Sequence, residues 1–340
     1  MYCISMTSEL DNYKKNRIVE VQNIYKHNVS RLYSDLLMNV KNLNKSRQNN
    51  NIKNILINNL INKYKNDVNT INKNLNETIL SIQQFIPKII TTNEKKNALL
   101  IGINYTGTRN ELYGCINDVN SIKERIQQNG FTNINIMTDL TSKKATRNNI
   151  LIEFKQLLIN SVSGDLLFFV FSGHGSNTLD RNGDEDDRRD ELIVSCDLKG
   201  ILDDELKSLI QTHLKEGVTL VAVMDCCFSG SILDLKYQYL NSLNYDKYTE
   251  NTKQLDTKGN VIMISGCNDN QTSADAVFNN KPNGAMTWAL LESLEIIKQN
   301  KLTWRQLMQN MRDLLKTSNF EQIPQFSSGT FTDIDSQVFI

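Results

Sequence analysis

Glycine, proline and histidine are scarce in this chain, and their positions divide it. Its 340 residues include 15 glycines, three prolines and three histidines. Residues 1–94 contain no glycine and a single proline, Pro87, and they are crowded with asparagine and lysine. Glycine and proline are the usual signals of turns, so the first 94 residues and the rest of the chain are predicted to differ in structure.

Other absences exclude whole classes of protein. The 38 basic and 38 acidic side chains cancel, so no global basic field predicts nucleic-acid binding. No apolar run approaches the roughly 18 residues that a membrane span needs, and Met1–Leu10 lacks the apolar core of a signal peptide. The six cysteines show no C-x-x-C zinc spacing and no compact disulfide framework. We therefore expect a cytoplasmic protein with no nucleic-acid or membrane partner.

Two amphipathic helices are predicted within residues 1–94. Apolar residues recur at steps of three or four from Ile18 to Leu43 and again from Ile52 to Ile82, around a polar break. Such a pair could form a hairpin that docks on the rest of the chain or on another chain. It could equally be a moderately ordered helical extension.

From residue 96 onward, short apolar runs alternate with helical patterns. The order of these segments predicts an α/β fold, with a largely parallel sheet flanked by helices on both faces. Residues 237–257 are polar and weakly periodic, which is typical of an exposed linker, and Ser336–Ile340 is predicted as a last strand.

Two of the buried strands end in reactive residues. Val218–Met224 runs into Asp225-Cys226-Cys227, and 53 residues earlier a similar strand ends in Gly173-His174-Gly175. Neighbouring parallel strands deliver such groups to one edge of a sheet. Because a sulfur nucleophile needs an imidazole to form its thiolate, this pattern predicts a cysteine hydrolase with a Cys227–His174 dyad. On the residues alone, Cys226 remains an alternative nucleophile.

The chain resembles the metacaspases, a family of caspase-like proteases, over about 96–340. The motifs that carry this resemblance are GCINDV at 114–119, SGHG at 172–175, DCCFSG at 225–230, SGCNDNQTSADA at 265–276, GAMTWALLESL at 284–294 and PQFSSG at 324–329. The resemblance implies a caspase-like fold with a large-subunit-like part (96–235), a linker (236–257) and a small-subunit-like part (258–340). It selects Cys227 as nucleophile. Phe228 departs from the family, which usually has His there.

The resemblance also implies a substrate pocket for Arg or Lys, lined by Cys115, Asp118, Ser172 and Asp225. Paired carboxylates suit a basic side chain, and Arg can bind them bidentately. Two alternatives stay open: Asp118 could cap a helix, and Asp225 could orient His174. By analogy with caspases, the backbone N–H groups of Gly175 and Cys227 would form the oxyanion hole.

Acidic residues also suggest calcium. The segment Asp180–Asp187 departs from the EF-hand pattern, because its Gly comes too early and the terminal Glu is missing. A better candidate set aligns with the calcium-binding acids of some metacaspases: Asp190, Asp203, Asp204 and Asp234. Ordinary surface acids are the alternative.

The function predicted from the sequence is a calcium-activated endopeptidase that acts on protein or peptide substrates after Arg or Lys. It would also process itself in the linker, at Lys236, Lys247 or Lys253. A non-catalytic scaffold that acts through its N-terminal helices is the alternative.

Overall fold

A computed structural model describes nine segments of the chain. They are residues 2–46, 49–84, 95–179, 189–227, 232–239, 248–266, 275–278, 281–296 and 302–340. The segment Asp180–Asp187, the Phe228 position and Lys247 lie outside them. The chain divides into two compact units, residues 1–89 and 90–340.

The N-terminal unit is a pair of long helices, α1 (Tyr2–Lys45) and α2 (Asn50–Gln84). They run antiparallel, since Lys14 Nζ donates a hydrogen bond of 2.7 Å to the Gln83 carbonyl near the far end of α2. Val21 and Tyr25 of α1 are buried together with Ile82 of α2. The two predicted helices are therefore confirmed. Within the described residues, no helix combines the length and the apolarity that crossing a bilayer requires.

The second unit contains thirteen strands and five helices within its described residues. The strands are β1 (Lys96–Gly102), β2 (Asn133–Thr138), β3 (Leu166–Ser172), β4 (Gly175–Leu179), β5 (Arg189–Val194), β6 (Gly200–Leu202), β7 (Thr219–Asp225), β8 (Tyr237–Tyr239), β9 (Thr249–Glu250), β10 (Asn260–Ser265), β11 (Asp275–Phe278), β12 (Lys281–Gly284) and β13 (Gln325–Ser328). The helices are α3 (Cys115–Gln128), α4 (Arg147–Ile159), α5 (Asp203–His213), α6 (Ala285–Ile296) and α7 (Trp304–Thr317).

Eight of these strands form one sheet in the order β2-β1-β3-β7-β10-β13-β8-β9. The first five are parallel and the last three are antiparallel additions. Smaller sheets, β4-β5-β6 and β11-β12, stand beside it. The predicted α/β fold with a largely parallel sheet is confirmed.

Helices cover both faces of the large sheet because successive strand residues point to opposite sides. In β1, Leu100 faces the core formed with α3, α6 and α7. Its neighbour Leu99 faces the core formed with α4 and α5. Each central strand is therefore buried on both faces, which explains its unbroken apolar run.

The structure differs from the sequence prediction in the segment expected to be an exposed linker. Strands β8 and β9 lie there and extend the main sheet. Tyr239 explains why: its ring is buried and lies 5.3 Å from that of Phe326 on β13. The predicted strand at Ser336–Ile340 is wrong, because the residues there form only an isolated bridge between Gln337 and Thr303.

The carboxyl ends of the central strands meet at one edge, as the two reactive motifs require. Ser172, the last residue of β3, pairs with Gly102 of β1 on one side and with Asp225 of β7 on the other. This edge holds the candidate active site.

Candidate active site

The two reactive motifs touch through their backbones. Gly173 donates its N–H to the carbonyl of Asp225 at 3.2 Å. A Cβ built on Gly175 would lie only 1.9 Å from the carbonyl oxygen of Cys227. Only glycine fits so close an approach. The residues predicted for the dyad and for the oxyanion hole are therefore brought together.

The two adjacent cysteines have different surroundings. The Cys226 side chain is completely buried in the core formed with α4 and α5. Cys227 is half-buried and is not part of a disulfide. Adjacent residues at a strand end point in opposite directions. Of the two thiols, Cys227 is thus the one that a substrate can reach.

His174 is held by several contacts. Its N–H donates to Tyr105 Oη at 2.8 Å, and its carbonyl accepts from the N–H of Val194 at 2.9 Å. The imidazole Nε2 lies 2.7 Å from the carbonyl oxygen of Asn110. A neutral imidazole has one N–H, so a proton on Nε2 directed at Asn110 leaves Nδ1 as the basic nitrogen.

The loop after β1 supplies the contacts to His174 from Tyr105 and Asn110. Asp139 anchors this loop, because its carboxylate accepts the N–H groups of Asn104 at 3.2 Å and Thr106 at 2.9 Å. Burial raises the pKa of Asp139, but the hydrogen bonds from this backbone outweigh that effect and lower it.

The predicted pocket residues also meet. Asp118 and Asp225 are buried, and the Ser172 hydroxyl donates to Asp118 Oδ2 at 2.8 Å. Cys115 is buried on the same helix, one turn before Asp118. The helix begins at Cys115 with Gly114 as its N-cap residue, so Asp118 is not the helix cap. A basic side chain entering here would meet two carboxylates.

Residues to which the sequence analysis assigned no role complete this pocket. The N–H of Gly284 donates to both oxygens of Asp118, at 2.9 and 3.1 Å. Thr287 donates its N–H at 3.0 Å and its hydroxyl at 2.7 Å to Asp225 Oδ2. Both donors lie at the start of α6, where the helix dipole favours negative charge. A Cβ on Gly284 would come within 2.3 Å of Asp225 Oδ2.

A second acidic site contains three of the four predicted calcium ligands. Carboxylate oxygens of Asp190, Asp203 and Asp204 lie within 4.8 Å of one another. Lys207 joins Asp234 to this group, with its Nζ 3.2 Å from Asp234 Oδ2 and 3.9 Å from Asp204 Oδ1. Burial, and then the charge of Asp234, raise the pKa of Asp203. These hard oxygen donors in mutual repulsion fit a calcium ion.

Comparison with known proteins decides the family. Residues 96–236 match the family model described as metacaspase, peptidase C14 domain. Metacaspase-1 of Candida albicans is 35% identical over 303 residues, covering 72% of this chain and 67% of that protein. Metacaspase-2 of Trypanosoma brucei brucei is 37% identical over 259 residues, covering 70% of this chain and 74% of that protein. The chain belongs to the metacaspase family.

Membership places this metacaspase among caspase-like cysteine peptidases, which confirms the resemblance found in the sequence. A crystal structure of protein GSU0716 from Geobacter sulfurreducens shares the fold. Its TM-score is 0.53 at 24% identity, with 72% of this chain and 98% of that chain covered. The caspase-like fold predicted from the motifs is confirmed by the family membership together with the largely parallel sheet between two layers of helices.

Proposed function

We propose that this metacaspase is an endopeptidase that cuts protein substrates after Arg or Lys, with Cys227 as nucleophile and His174 as base. The strongest support for this proposal is a single observation. The histidine and cysteine motifs meet at the edge of the sheet where two buried carboxylates also lie. A nucleophile, a base and a pocket of opposite charge to its substrate form one site.

The reaction follows from these side chains. His174 takes the proton of the Cys227 thiol, and the thiolate attacks the scissile carbonyl to form an S–C bond. The N–H groups of Gly175 and Cys227 would stabilise the oxyanion. The C–N bond then breaks as His174 protonates the leaving amine. A water molecule, deprotonated by His174, releases the acid product and restores the thiol.

Specificity rests on Asp118 and Asp225. Their partners in the pocket, Ser172, Gly284 and Thr287, donate hydrogen bonds that favour the charged form of both carboxylates. A substrate Arg or Lys side chain would bring a positive charge next to these two buried carboxylates. An acidic substrate side chain would be repelled, which separates this pocket from one that binds Asp.

Calcium is proposed as the activator, held by Asp190, Asp203, Asp204 and Asp234. Bound there, the ion supplies positive charge that offsets the repulsion among these carboxylates. The residues themselves come from three places: β5, the start of α5 and the segment that follows Cys227. Holding them together would fix Asp234, which lies seven residues after the nucleophile.

Self-processing is proposed at the linker lysines Lys247 and Lys253. Lys253 is exposed, and the N–H of this residue is bonded to the Asn251 side chain within a turn. Lys236 is a poorer site, since its ammonium group lies 2.9 Å from Asp256 Oδ1 and 3.3 Å from Glu250 Oε1 beside β8.

The test is hydrolysis of fluorogenic peptides ending in Arg, Lys or Asp, each in calcium and in chelator. We expect the purified chain to cut the Arg and Lys peptides in calcium only, and Cys227→Ala to cut none. Activity towards the Asp peptide would contradict the pocket, and full activity in chelator would contradict the metal. A folded wild-type chain that cuts no peptide would favour the scaffold alternative.

A further inference from the structure

Tyr105 places a buried hydroxyl group beside His174. Only 1% of its surface is exposed. Its Oη donates a hydrogen bond of 2.6 Å to the carbonyl of Val194 and accepts one of 2.8 Å from the N–H of His174. Its ring lies 4.6 Å from the imidazole, centroid to centroid, at an interplanar angle of 36°. One side chain thus contacts both the backbone and the ring of His174.

The surrounding chain is shaped to place this hydroxyl. Tyr105 has a positive φ of 52°, a strained conformation for an aromatic residue. A Cβ on Gly173 would lie 2.8 Å from Tyr105 Oη, so a larger residue there would displace the hydroxyl. Strain of this kind persists only where the surrounding structure enforces it.

The hydroxyl is suited to holding a group in place and unsuited to proton transfer. Burial raises the pKa of Tyr105 well above its ordinary value, so the group stays a neutral donor and acceptor. Both of its hydrogen bonds are to main-chain atoms, one to the N–H of His174 itself and one to the carbonyl of Val194 at the end of β5. The carbonyl of His174 completes the arrangement by accepting from the N–H of Val194 at 2.9 Å.

We propose that Tyr105 is a positioning residue for His174, which aims the imidazole at Cys227 by tying the backbone of His174 to β5. The inference rests on the proposed function, in which His174 is the base. Without the hydroxyl, the N–H of His174 and the carbonyl of Val194 lose their partner and the turn can rotate. A shift of about 1 Å in a reacting group can lower turnover by about 100-fold.

A matched control exists in the same fold. Tyr239 is also buried, and its hydroxyl makes an equivalent pair of main-chain bonds: it donates to the Thr332 carbonyl at 2.7 Å and accepts from the Thr332 N–H at 2.9 Å. These bonds lie on β8, which three strands separate from β3, the strand that precedes His174. Tyr239→Phe therefore removes the same chemistry where no reacting group is near.

The experiment compares wild type, Tyr105→Phe and Tyr239→Phe by three measurements. These are the Tm, the kcat and KM on an Arg-ending peptide, and the iodoacetamide alkylation rate of Cys227 against pH. The kinetic phase of alkylation that wild type shows and Cys227→Ala lacks is the one that belongs to the Cys227 thiol. This rate needs no substrate and reports the fraction of thiolate that His174 stabilises.

We expect similar Tm losses in both variants, but a separate effect of Tyr105→Phe on chemistry. Its kcat should fall about 10- to 100-fold with KM within about twofold. Its alkylation profile should lose the reactive thiolate at low pH. Tyr239→Phe should keep wild-type kcat and profile. If Tyr105→Phe does not fold, 3-fluorotyrosine at this position keeps the ring and weakens the hydroxyl as an acceptor. It should lower kcat without changing KM.

Tyr105 variants with the kcat and alkylation profile of Tyr239→Phe would overturn the inference and leave the hydroxyl a purely structural role. A wild-type chain that cuts no peptide would refute the proposed function instead, and the alkylation profiles would still decide about Tyr105. If the wild type shows no reactive thiolate at low pH, His174 takes the thiol proton only during attack, and the kcat values of Tyr105→Phe and Tyr239→Phe then decide about Tyr105.

Discussion

The ammonium group of Lys207 supplies positive charge among the proposed calcium ligands when no calcium is bound. Replacing Lys207 by Met tests that role. Its Nζ lies 3.2 Å from Asp234 Oδ2, and the lysine side chain is only 14% exposed. Met keeps a stem of similar length and apolar character but removes the charge. Without calcium, Lys207→Met removes the ammonium group that lies beside Asp204 and Asp234.

The size of the effect follows from burial. Removing one partner of a buried ion pair destabilises a protein by about 3–5 kcal/mol. We expect about 2–3 kcal/mol here, because Asp204 is 35% exposed and shares the charge less strongly. For a unit of this size, that corresponds to a Tm lower by roughly 4–12 °C in chelator. Calcium would supply the missing charge, so its affinity should rise by a corresponding factor of roughly 30 to 140.

The assay is calorimetric titration with calcium on a Cys227→Ala background, paired with thermal unfolding in calcium and in chelator. Lys199→Met is the control, because this lysine pairs with Asp197 at 3.0 Å but is 68% exposed and lies outside the acidic site. It should change neither quantity. Weaker calcium binding by Lys207→Met, or an equal Tm loss with and without calcium, would refute the reasoning.

Three further predictions concern the reactive edge and the acidic site. Cys227→Ala should abolish hydrolysis and Cys226→Ala should keep most of it, since only the former thiol reaches solvent; equal losses in two folded variants would contradict the assignment. Asp225→Asn should lower kcat/KM on Arg peptides by on the order of 100-fold, whereas Asp165→Asn, a buried acid at the opposite end of the sheet, should spare it. Burial raises the folded-state pKa of Asp203 above its usual 3.8, so the folded chain binds this proton more tightly. Unfolding free energy in chelator should therefore fall as pH rises from about 4 towards 7, and Asp203→Asn should flatten that slope.

Local sequence was sufficient to predict the central strands and the ends where they stop. An apolar run such as Val218–Met224 can bury the side chains of both its faces only inside a parallel sheet that is covered on both sides. Its abrupt end at Asp225 fixes where the reactive residues emerge. For this reason the positions of His174 and Cys227 followed directly from the sequence.

The supporting contacts were missed because they join distant parts of the chain. Gly284 meets Asp118 across 166 residues, and no local pattern encodes that approach. Tyr105 lies 69 residues before His174, and its local sequence predicts only an ordinary aromatic residue of the core. The contact of Lys207 with the acidic site could have been predicted from the sequence. This lysine follows Asp203 and Asp204 by one helical turn, a spacing at which side chains are neighbours.

The strand order has a consequence for a chain that cuts itself. A cut after Lys247 would leave β8 with the N-terminal fragment and β10 and β13 with the C-terminal one. In the sheet, β10 and β13 lie between β7 and β8. Two strands of the C-terminal fragment are therefore flanked on both sides by strands of the N-terminal fragment. The two pieces are interlocked by main-chain hydrogen bonds at both borders. A nicked molecule should therefore elute as one particle in native size-exclusion chromatography and come apart only in denaturant.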